Sequence, residues 1–246
     1  MTLGKWQGLQ ETESDVIRKT SGVHQTELRI IERLLNAYLA GFEAIGSFTR
    51  TKDNDLQYAW FKLVTRSFNS MCCAYILLER GYYTQALSLL RSVDEDWLIA
   101  KDCGKNSPTL DALLNDKGQL GKGDLTFGKM AERAEIKPLW DSGYGHLSLF
   151  VHPRPLSLRV LIDPGTKTLR LGASYDRVLF LYCCEVLIRN ALRMTEYMVS
   201  LLGSKAGDWQ KQTWPIIQEA TGWLDVLRAQ YASGEAPTDK QEEDET

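Results

Sequence analysis

Apolar residues recur at every third or fourth position along most of the chain, which is the spacing of an α-helix that buries one face. The helix that this spacing predicts over 176–202 is apolar on nearly every side, so we expect it at the centre of a bundle. The pattern predicts a mostly α protein, an antiparallel bundle of four to six helices. The predicted helices cover about 24–48, 55–80, 83–103, a short stretch near Pro108, 126–134, 139–152, 176–202 and part of 208–231.

Between about 157 and 171 the period changes from that of a helix to the alternation of a β-strand. Two alternating segments, 158–163 and 168–171, flank a Pro-Gly turn that begins at Pro164. This arrangement predicts a small β-hairpin inserted into the bundle. A lone two-stranded ribbon is only marginally stable, so we expect the hairpin to lie on the helices or to pair with another subunit through its edge.

The two ends of the chain lack the helical period. Residues 1–23 are polar and predict an N-terminal arm that orders against the domain. Residues 232–246 contain six acidic residues and one lysine, a composition typical of a disordered acidic tail. Residues 24–231 are therefore predicted to form a single helical-bundle domain.

Composition narrows the class of protein. Hydrophobic residues make up 43% of the 246 residues, enough for a large core without disulfides or a structural metal. The net charge of −3 is accounted for by the acidic tail, so the chain lacks the basic excess of a dedicated nucleic-acid binder. Local contact with RNA stays open, and no DNA-specific signal is present. No uncharged apolar run is long enough for a membrane span, and the N-terminus has no apolar signal core.

The five cysteines comprise two adjacent pairs, Cys72-Cys73 and Cys183-Cys184, and a single Cys103. Neither C-x-x-C nor the Cys/His spacing of a zinc site occurs. We therefore expect reduced, buried thiols in a cytoplasmic protein. The glycine-rich loop around Gly121 lacks the spacing of a phosphate loop. The sequence accordingly predicts no metal and no cofactor.

Hydroxyl and imidazole groups concentrate in one stretch, from Tyr144 to Pro153. Tyr144, Ser148 and His152 are four residues apart, so on a helix they form one polar stripe. The helix should end at His152, because Pro153 cannot continue the hydrogen-bond ladder. A histidine there can bond the last carbonyls of the helix, which needs no catalysis. Alternatively, it acts as a general acid/base or as a donor to an anionic ligand.

A second polar pair lies on the helix predicted over 83–103. Arg91 and Glu95 are four residues apart and within ion-pair reach. Their helix is rich in leucine, so the pair can be partly buried, and a buried pair needs further hydrogen bonds. We predict that the polar stripe supplies these bonds and that the two helices meet at the five residues. Ser148 is then a ligand contact rather than a nucleophile, because the G-x-S-x-G turn is absent.

The remaining histidines offer less chemistry. His146 has no evident partner in the sequence. Arg18 and His24 match the R-x(4–6)-H spacing of a ribonuclease motif. Both fall in or beside the predicted N-terminal arm, and we interpret the match as chance.

Two motifs carry a family resemblance. They are Gly81-Tyr-Tyr-x-x-Ala-Leu-x-Leu-Leu-Arg91-x-x-x-Glu95 and Tyr144-x-x-Leu-Ser148-x-x-x-His152-Pro153. With them, residues 55–205 resemble an uncharacterised group of bacterial helical-bundle proteins, related in appearance to the HEPN superfamily and to abortive-infection proteins. The resemblance implies a bundle of four or five long antiparallel helices, often dimeric, with a hairpin inserted after the His-Pro pair.

The resemblance also bears on activity. Many HEPN proteins are metal-independent ribonucleases that use R-x(4–6)-H, with arginine and histidine from two subunits in a shared cleft. The arginine that this motif places before the histidine is missing before His152. Among the residues of the two motifs, only His152, by its type, and Arg91, if the helices meet, could take these roles.

Two functional hypotheses follow. The first is a non-catalytic, self-associating module, a homodimer that binds a protein partner or a small anionic ligand at Arg91 and His152, with Glu95, Tyr144 and Ser148 beside them. The second is a metal-independent endoribonuclease of the toxin or phage-defence kind. In it His152 acts as general acid/base and Arg91 stabilises the phosphorane charge. The sequence favours the first, because a fold alone does not confer an activity.

Overall fold

A computed structural model describes residues 3–51, 53–115, 117–151, 162, 167 and 172–233, and most of them are helical. Short 3₁₀ turns at Gly123–Leu125 and Gly203–Lys205 precede the sixth and the last helix. The prediction of a mostly α helical bundle is confirmed. The helices are α1 (Leu3–Val23), α2 (Gln25–Ile45), α3 (Asp55–Glu79), α4 (Tyr83–Cys103), α5 (Ser107–Asn115), α6 (Phe127–Arg133), α7 (Lys137–Val151), α8 (Arg177–Leu202) and α9 (Ala206–Ser233).

Local sequence signals set the helix boundaries. Gly81 follows α3 with a φ of 79°, a left-handed conformation that glycine adopts without strain. A side chain there would also clash with the backbone, because a Cβ would lie 2.4 Å from the carbonyl oxygen of Ser174. Gly203, with a φ of 56°, ends α8 as predicted. Asp176 precedes α8, and its carboxylate accepts a hydrogen bond from the N–H of Leu179 at 3.0 Å, so it is an N-cap.

The helices do not all alternate in direction. α3 and α4 are joined by a short turn and pack antiparallel, as the sequence predicts. α4 and α8 run parallel, because residue numbers rise together along their contact. The Asn190 side chain donates to the Leu90 carbonyl at 2.9 Å, and further along Lys101 lies 3.1 Å from Glu196. The antiparallel prediction therefore holds for α3 with α4 and fails for this central pair.

The core lies where α2, α3, α4 and α8 meet. Tyr38 of α2 is buried, and its hydroxyl donates to the Ala191 carbonyl of α8 at 2.5 Å. α9 packs across α2, where the Trp209 indole donates to the Ala37 carbonyl at 2.8 Å. α8 buries apolar residues around most of its circumference, as predicted. None of the described helices, α8 included, combines the length and apolar character needed to cross a membrane.

The segment predicted as an N-terminal arm is the helix α1, and it lies against the bundle. Val16 is buried there. Glu13 accepts hydrogen bonds from Arg80 at 2.6 Å and from the Tyr82 hydroxyl at 3.3 Å. The helical form of this segment is not evident in the sequence, because a helix that buries only a narrow stripe gives a weak apolar period.

Two predicted segments fall largely outside the described residues. Of the hairpin predicted near 157–171, only Ile162 and Lys167 belong to the described part of the chain. Of the predicted acidic tail over 232–246, the described residues are 232 and 233, which end α9. The hairpin and the disordered tail therefore remain predictions.

The five cysteines are unpaired. Cys103, Cys183 and Cys184 are buried, as predicted, and burial raises the pKa of each thiol. Cys73 is exposed, so the prediction of a buried thiol is wrong at this position. Neighbours on a helix point about 100° apart, and Cys73 therefore faces solvent while the half-buried Cys72 faces the bundle.

Two buried aspartates of α4 attach it to the helices on either side. Asp96 accepts a hydrogen bond from Nε of Arg66 in α3 at 2.9 Å. Asp102 binds Arg133 of α6 through Nε at 2.8 Å and Nη2 at 2.6 Å, and the Thr109 hydroxyl of α5 at 2.5 Å. Burial would raise the pKa of Asp102, but these hydrogen bonds hold it below its ordinary value. The carboxylate therefore stays charged and joins three helices.

Replacing Asp102 by alanine is expected to lower the free energy of unfolding by about 3 kcal/mol, because Arg133 and Thr109 lose their shared acceptor. The matched control is Asp124→Ala. The Asp124 carboxylate is 91% exposed beside Lys129, so its loss is expected to leave the free energy of unfolding almost unchanged. Unfolding in guanidinium chloride measures both. Equal losses in the two variants would contradict an anchoring role for Asp102.

Candidate functional site

Three of the predicted site residues meet where α7 packs against α4. The Tyr144 hydroxyl donates to Oε1 of Glu95 at 2.8 Å and accepts a hydrogen bond from Nη2 of Arg91. Nη2 of Arg91 also lies 3.3 Å from Oε1 of Glu95. Each of the three groups thus contacts the other two. We call this arrangement the Arg91–Glu95–Tyr144 triad.

Aromatic rings fix the position of the triad. The Tyr144 ring stacks on Trp140 with 4.2 Å between centroids, and it lies 6.1 Å from the Phe127 ring. Trp140 and Tyr144 are four residues apart on α7, so helical geometry places the two rings together. The guanidinium carbon of Arg91 lies 4.7 Å from the centroid of the Tyr144 ring, a cation–π distance. The triad is therefore preorganised by packing as well as by hydrogen bonds.

The triad lies at the edge of the core and reaches solvent. The side chains of Arg91 and Glu95 are 17% and 21% exposed. Burial raises the pKa of Tyr144 to about 12, and Arg91 opposes the shift while Glu95 adds to it. Tyr144 therefore stays protonated near neutral pH and acts as a hydrogen-bond donor, not as a base.

The rest of the predicted polar stripe continues along α7. Ser148 lies one turn after Tyr144 and is half-buried. His152, the predicted general acid/base, lies outside the described residues, as does Pro153. The structure thus brings together Arg91, Glu95 and Tyr144 out of the five predicted residues and places Ser148 beside them on the same helix.

A second polar cluster adjoins the triad on the α8 side of α4. Asp94 is 2% exposed, and its carboxylate accepts a hydrogen bond from Nη1 of Arg193 at 2.8 Å. Its other oxygen lies 3.7 Å from Nη2 of Arg189, and Nη1 of Arg189 lies 3.5 Å from Glu185. The Arg193 guanidinium stacks 4.4 Å from a Trp97 ring centroid. Burial raises the pKa of Asp94, whereas the two arginines oppose the shift.

The predicted site did not include this cluster, although the sequence contains a signal for it. Glu185, Arg189 and Arg193 recur every four residues in a helix that is otherwise apolar nearly all round. Polar groups inside such a helix require polar partners. Their partner is Asp94, which lies three residues after Arg91 and by that spacing could also form an ion pair with Arg91. The structure turns it towards α8 instead, and local spacing cannot decide between these two directions.

His24 is a core residue rather than part of a ribonuclease motif. Its ring stacks on Phe180 with 4.1 Å between centroids, and its Nε2 lies 3.0 Å from the Tyr175 hydroxyl. Its Nδ1 lies 3.7 Å from Glu27. Arg18, by contrast, is 78% exposed. The two residues of the R-x(4–6)-H spacing therefore lie in different environments, which agrees with the interpretation of the match as chance.

His146 is exposed, and its Nδ1 lies 2.6 Å from the carbonyl of Ser142 on the same helix. In the part of the chain that the structure describes, no group of three or more His, Cys, Asp and Glu residues could hold a metal ion.

Comparisons with known proteins add no relative from which a function could be carried over. No protein-family model matches the chain, and neither a curated protein nor a solved structure matches it. The resemblance to the HEPN superfamily stays a prediction, and function has to be argued from the site itself.

Tyr144→Phe is expected to lower the free energy of unfolding by about 1–2 kcal/mol, because both Arg91 and Glu95 lose a hydrogen-bond partner. In a double-mutant cycle with Glu95→Gln we expect a coupling energy of about 1 kcal/mol. Urea unfolding measures the cycle. The control cycle pairs Tyr144→Phe with Glu132→Gln, an exposed residue of α6, and should show no coupling. Equal couplings in the two cycles would contradict the triad.

Proposed function

We propose that this protein is a self-associating, HEPN-like helical-bundle binding module that takes a protein partner or a small anionic ligand where α4 meets α7. The observation that supports it is the Arg91–Glu95–Tyr144 triad, a preorganised polar group at the edge of the core that still reaches solvent. In this proposal Ser148 of α7 and His152, both from the polar stripe that the sequence predicts, complete the contacts to the ligand.

The chemistry of the triad suits binding better than bond breaking. Tyr144 has a pKa of about 12 and, like an unperturbed tyrosine, is protonated near neutral pH, so it supplies a donor and no base. Nη2 of Arg91 lies 3.3 Å from Oε1 of Glu95, which is longer than a charge-assisted hydrogen bond of optimal length. An incoming anion can therefore compete with the Glu95 carboxylate for the guanidinium.

Calorimetric titration with inorganic phosphate as the probe tests the anion site. Arg91→Gln is expected to weaken phosphate binding about tenfold, because it removes a charge-assisted hydrogen-bond donor. Arg29→Gln is the matched control, since Arg29 lies on α2 and is 60% exposed beside Glu219. Equal losses in the two variants, or no binding to the unaltered protein, would remove the anion-binding part of the proposal.

The alternative function is a metal-independent ribonuclease of the toxin or phage-defence type with His152 as acid/base and Arg91 as stabiliser of charge. Full-length protein incubated with total RNA and a chelator across about pH 6–8 separates it from a binding module. We expect no cleavage. Cleavage that disappears in His152→Ala, while the circular dichroism spectrum stays unchanged, would replace the binding function by the catalytic one.

Self-association is the second part of the proposal. Trp214 and Val226 of α9 are large apolar side chains exposed to solvent, and such side chains offer surface for association. Size-exclusion chromatography with light scattering is expected to give twice the mass of one chain, a homodimer. The mass of a single chain at every concentration would contradict it.

A further inference from the structure

The side chain of Arg189, on α8, is mostly buried and makes few hydrogen bonds. Only 16% of the side chain is exposed, and its contact with Glu185 is long, at 3.5 Å. Among the described residues, its Nε and Nη2 atoms are buried and have no hydrogen-bond acceptor. The nearby Oδ2 of Asp94, at 3.7 Å, also has no hydrogen-bond donor. Buried polar groups are normally paired, so this guanidinium requires an acceptor.

Nε and Nη2 form the side-on edge of a guanidinium, the edge that binds two oxygens of one carboxylate in parallel. Elsewhere in this fold the same edge of Arg133 grips Asp102, at 2.8 and 2.6 Å. Arg189 does not complete such a fork with Asp94, because Arg193 holds the other oxygen of that carboxylate at 2.8 Å. The Nε/Nη2 edge of Arg189 is therefore the same kind of edge that binds Asp102 in Arg133, but it lacks a carboxylate that accepts hydrogen bonds from both nitrogens.

We propose that the Nε/Nη2 edge of Arg189 binds the carboxylate group of a small organic ligand. A planar pair of oxygens matches the fork. A single negative charge suits the surroundings better than the two of a phosphate, because Asp94 and Glu185 lie beside the edge. This site stands apart from the proposed function, since it lies between α4 and α8 and does not use Arg91.

The neighbouring rings suit a ligand with an apolar or aromatic body. Tyr182 lies two turns before Arg189 on the same face of α8, and its ring packs 5.8 Å from that of Phe150 in α7. Burial raises the pKa of Tyr182 to about 12, so its hydroxyl remains a donor. The long contact between Arg189 and Glu185 is weak, and the guanidinium can turn from it to meet an incoming carboxylate.

The Nε–H signal of Arg189 in a proton–nitrogen NMR spectrum of the full chain reports directly on this edge. The signal is assigned by its disappearance in Arg189→Lys, which keeps the charge but removes the fork. Acetate is the probe and is expected to shift the signal in a saturable way. The signal of the exposed Arg18 is the internal control, and sodium chloride at equal ionic strength controls for screening.

The outcomes separate this site from the one at Arg91. Calorimetric titration with acetate compares the variants, since Arg189→Lys removes the reporting signal. In that titration Arg189→Lys is expected to raise the dissociation constant of acetate about tenfold, because the bidentate contact is lost. Arg91→Gln is expected to leave it within about twofold, and phosphate is expected to shift the Arg189 signal less than acetate does. If Arg189→Lys does not fold, through-bond assignment of the unaltered protein supplies the same readout.

An acetate shift no larger than that of chloride would overturn the inference and leave a loose ion pair between Arg189 and Asp94. A dissociation constant for acetate that rises as much in Arg91→Gln as in Arg189→Lys would also overturn it, because the ligand would then belong to the triad. Loss of phosphate binding in Arg91→Gln with the acetate shift intact would support two separate sites.

Discussion

The rest of the structure depends on buried carboxylates of α4 that are each held by an arginine from another helix. A buried charge that loses its partner is strongly destabilising, so every such pair fixes one neighbouring helix in position along α4. Apolar packing also constrains how the helices meet, and each pair adds a polar contact that a shift along α4 would break. The pairs are Asp94 with Arg193 of α8, Asp96 with Arg66 of α3, and Asp102 with Arg133 of α6.

The candidate site follows from the same constraint. Asp94, Glu95 and Asp96 are consecutive, and consecutive residues of a helix point about 100° apart. They therefore face α8, α7 and α3 in turn. Asp94 and Asp96 are buried in ion pairs with neighbouring helices. Glu95, between them in sequence, remains partly exposed with Arg91 and Tyr144. Glu95 is thus the one of these three acidic residues whose side chain still reaches solvent.

Two polar clusters share α4, and in each an arginine lies close to a carboxylate. In both proposals an anion would meet donors whose positions packing has already set. Tyr144 has a pKa of about 12 and is protonated near neutral pH, so it offers the triad a donor rather than a phenolate base. The function proposed for the triad therefore rests on binding.

The sequence by itself determined the helices from α2 to α9, because a period of three to four apolar residues is a local property that each of these segments carries alone. The helical form of α1 lacked that signal. It also pointed to Arg91, Glu95 and Tyr144, since a polar pair on a leucine-rich helix needs donors from a neighbour. Only the tertiary structure decided the parallel contact of α4 with α8, the turn of Asp94 towards Arg193, and the place of His24 in the core. These depend on which helices become neighbours, and residues about a hundred positions apart carry no local signal of their pairing.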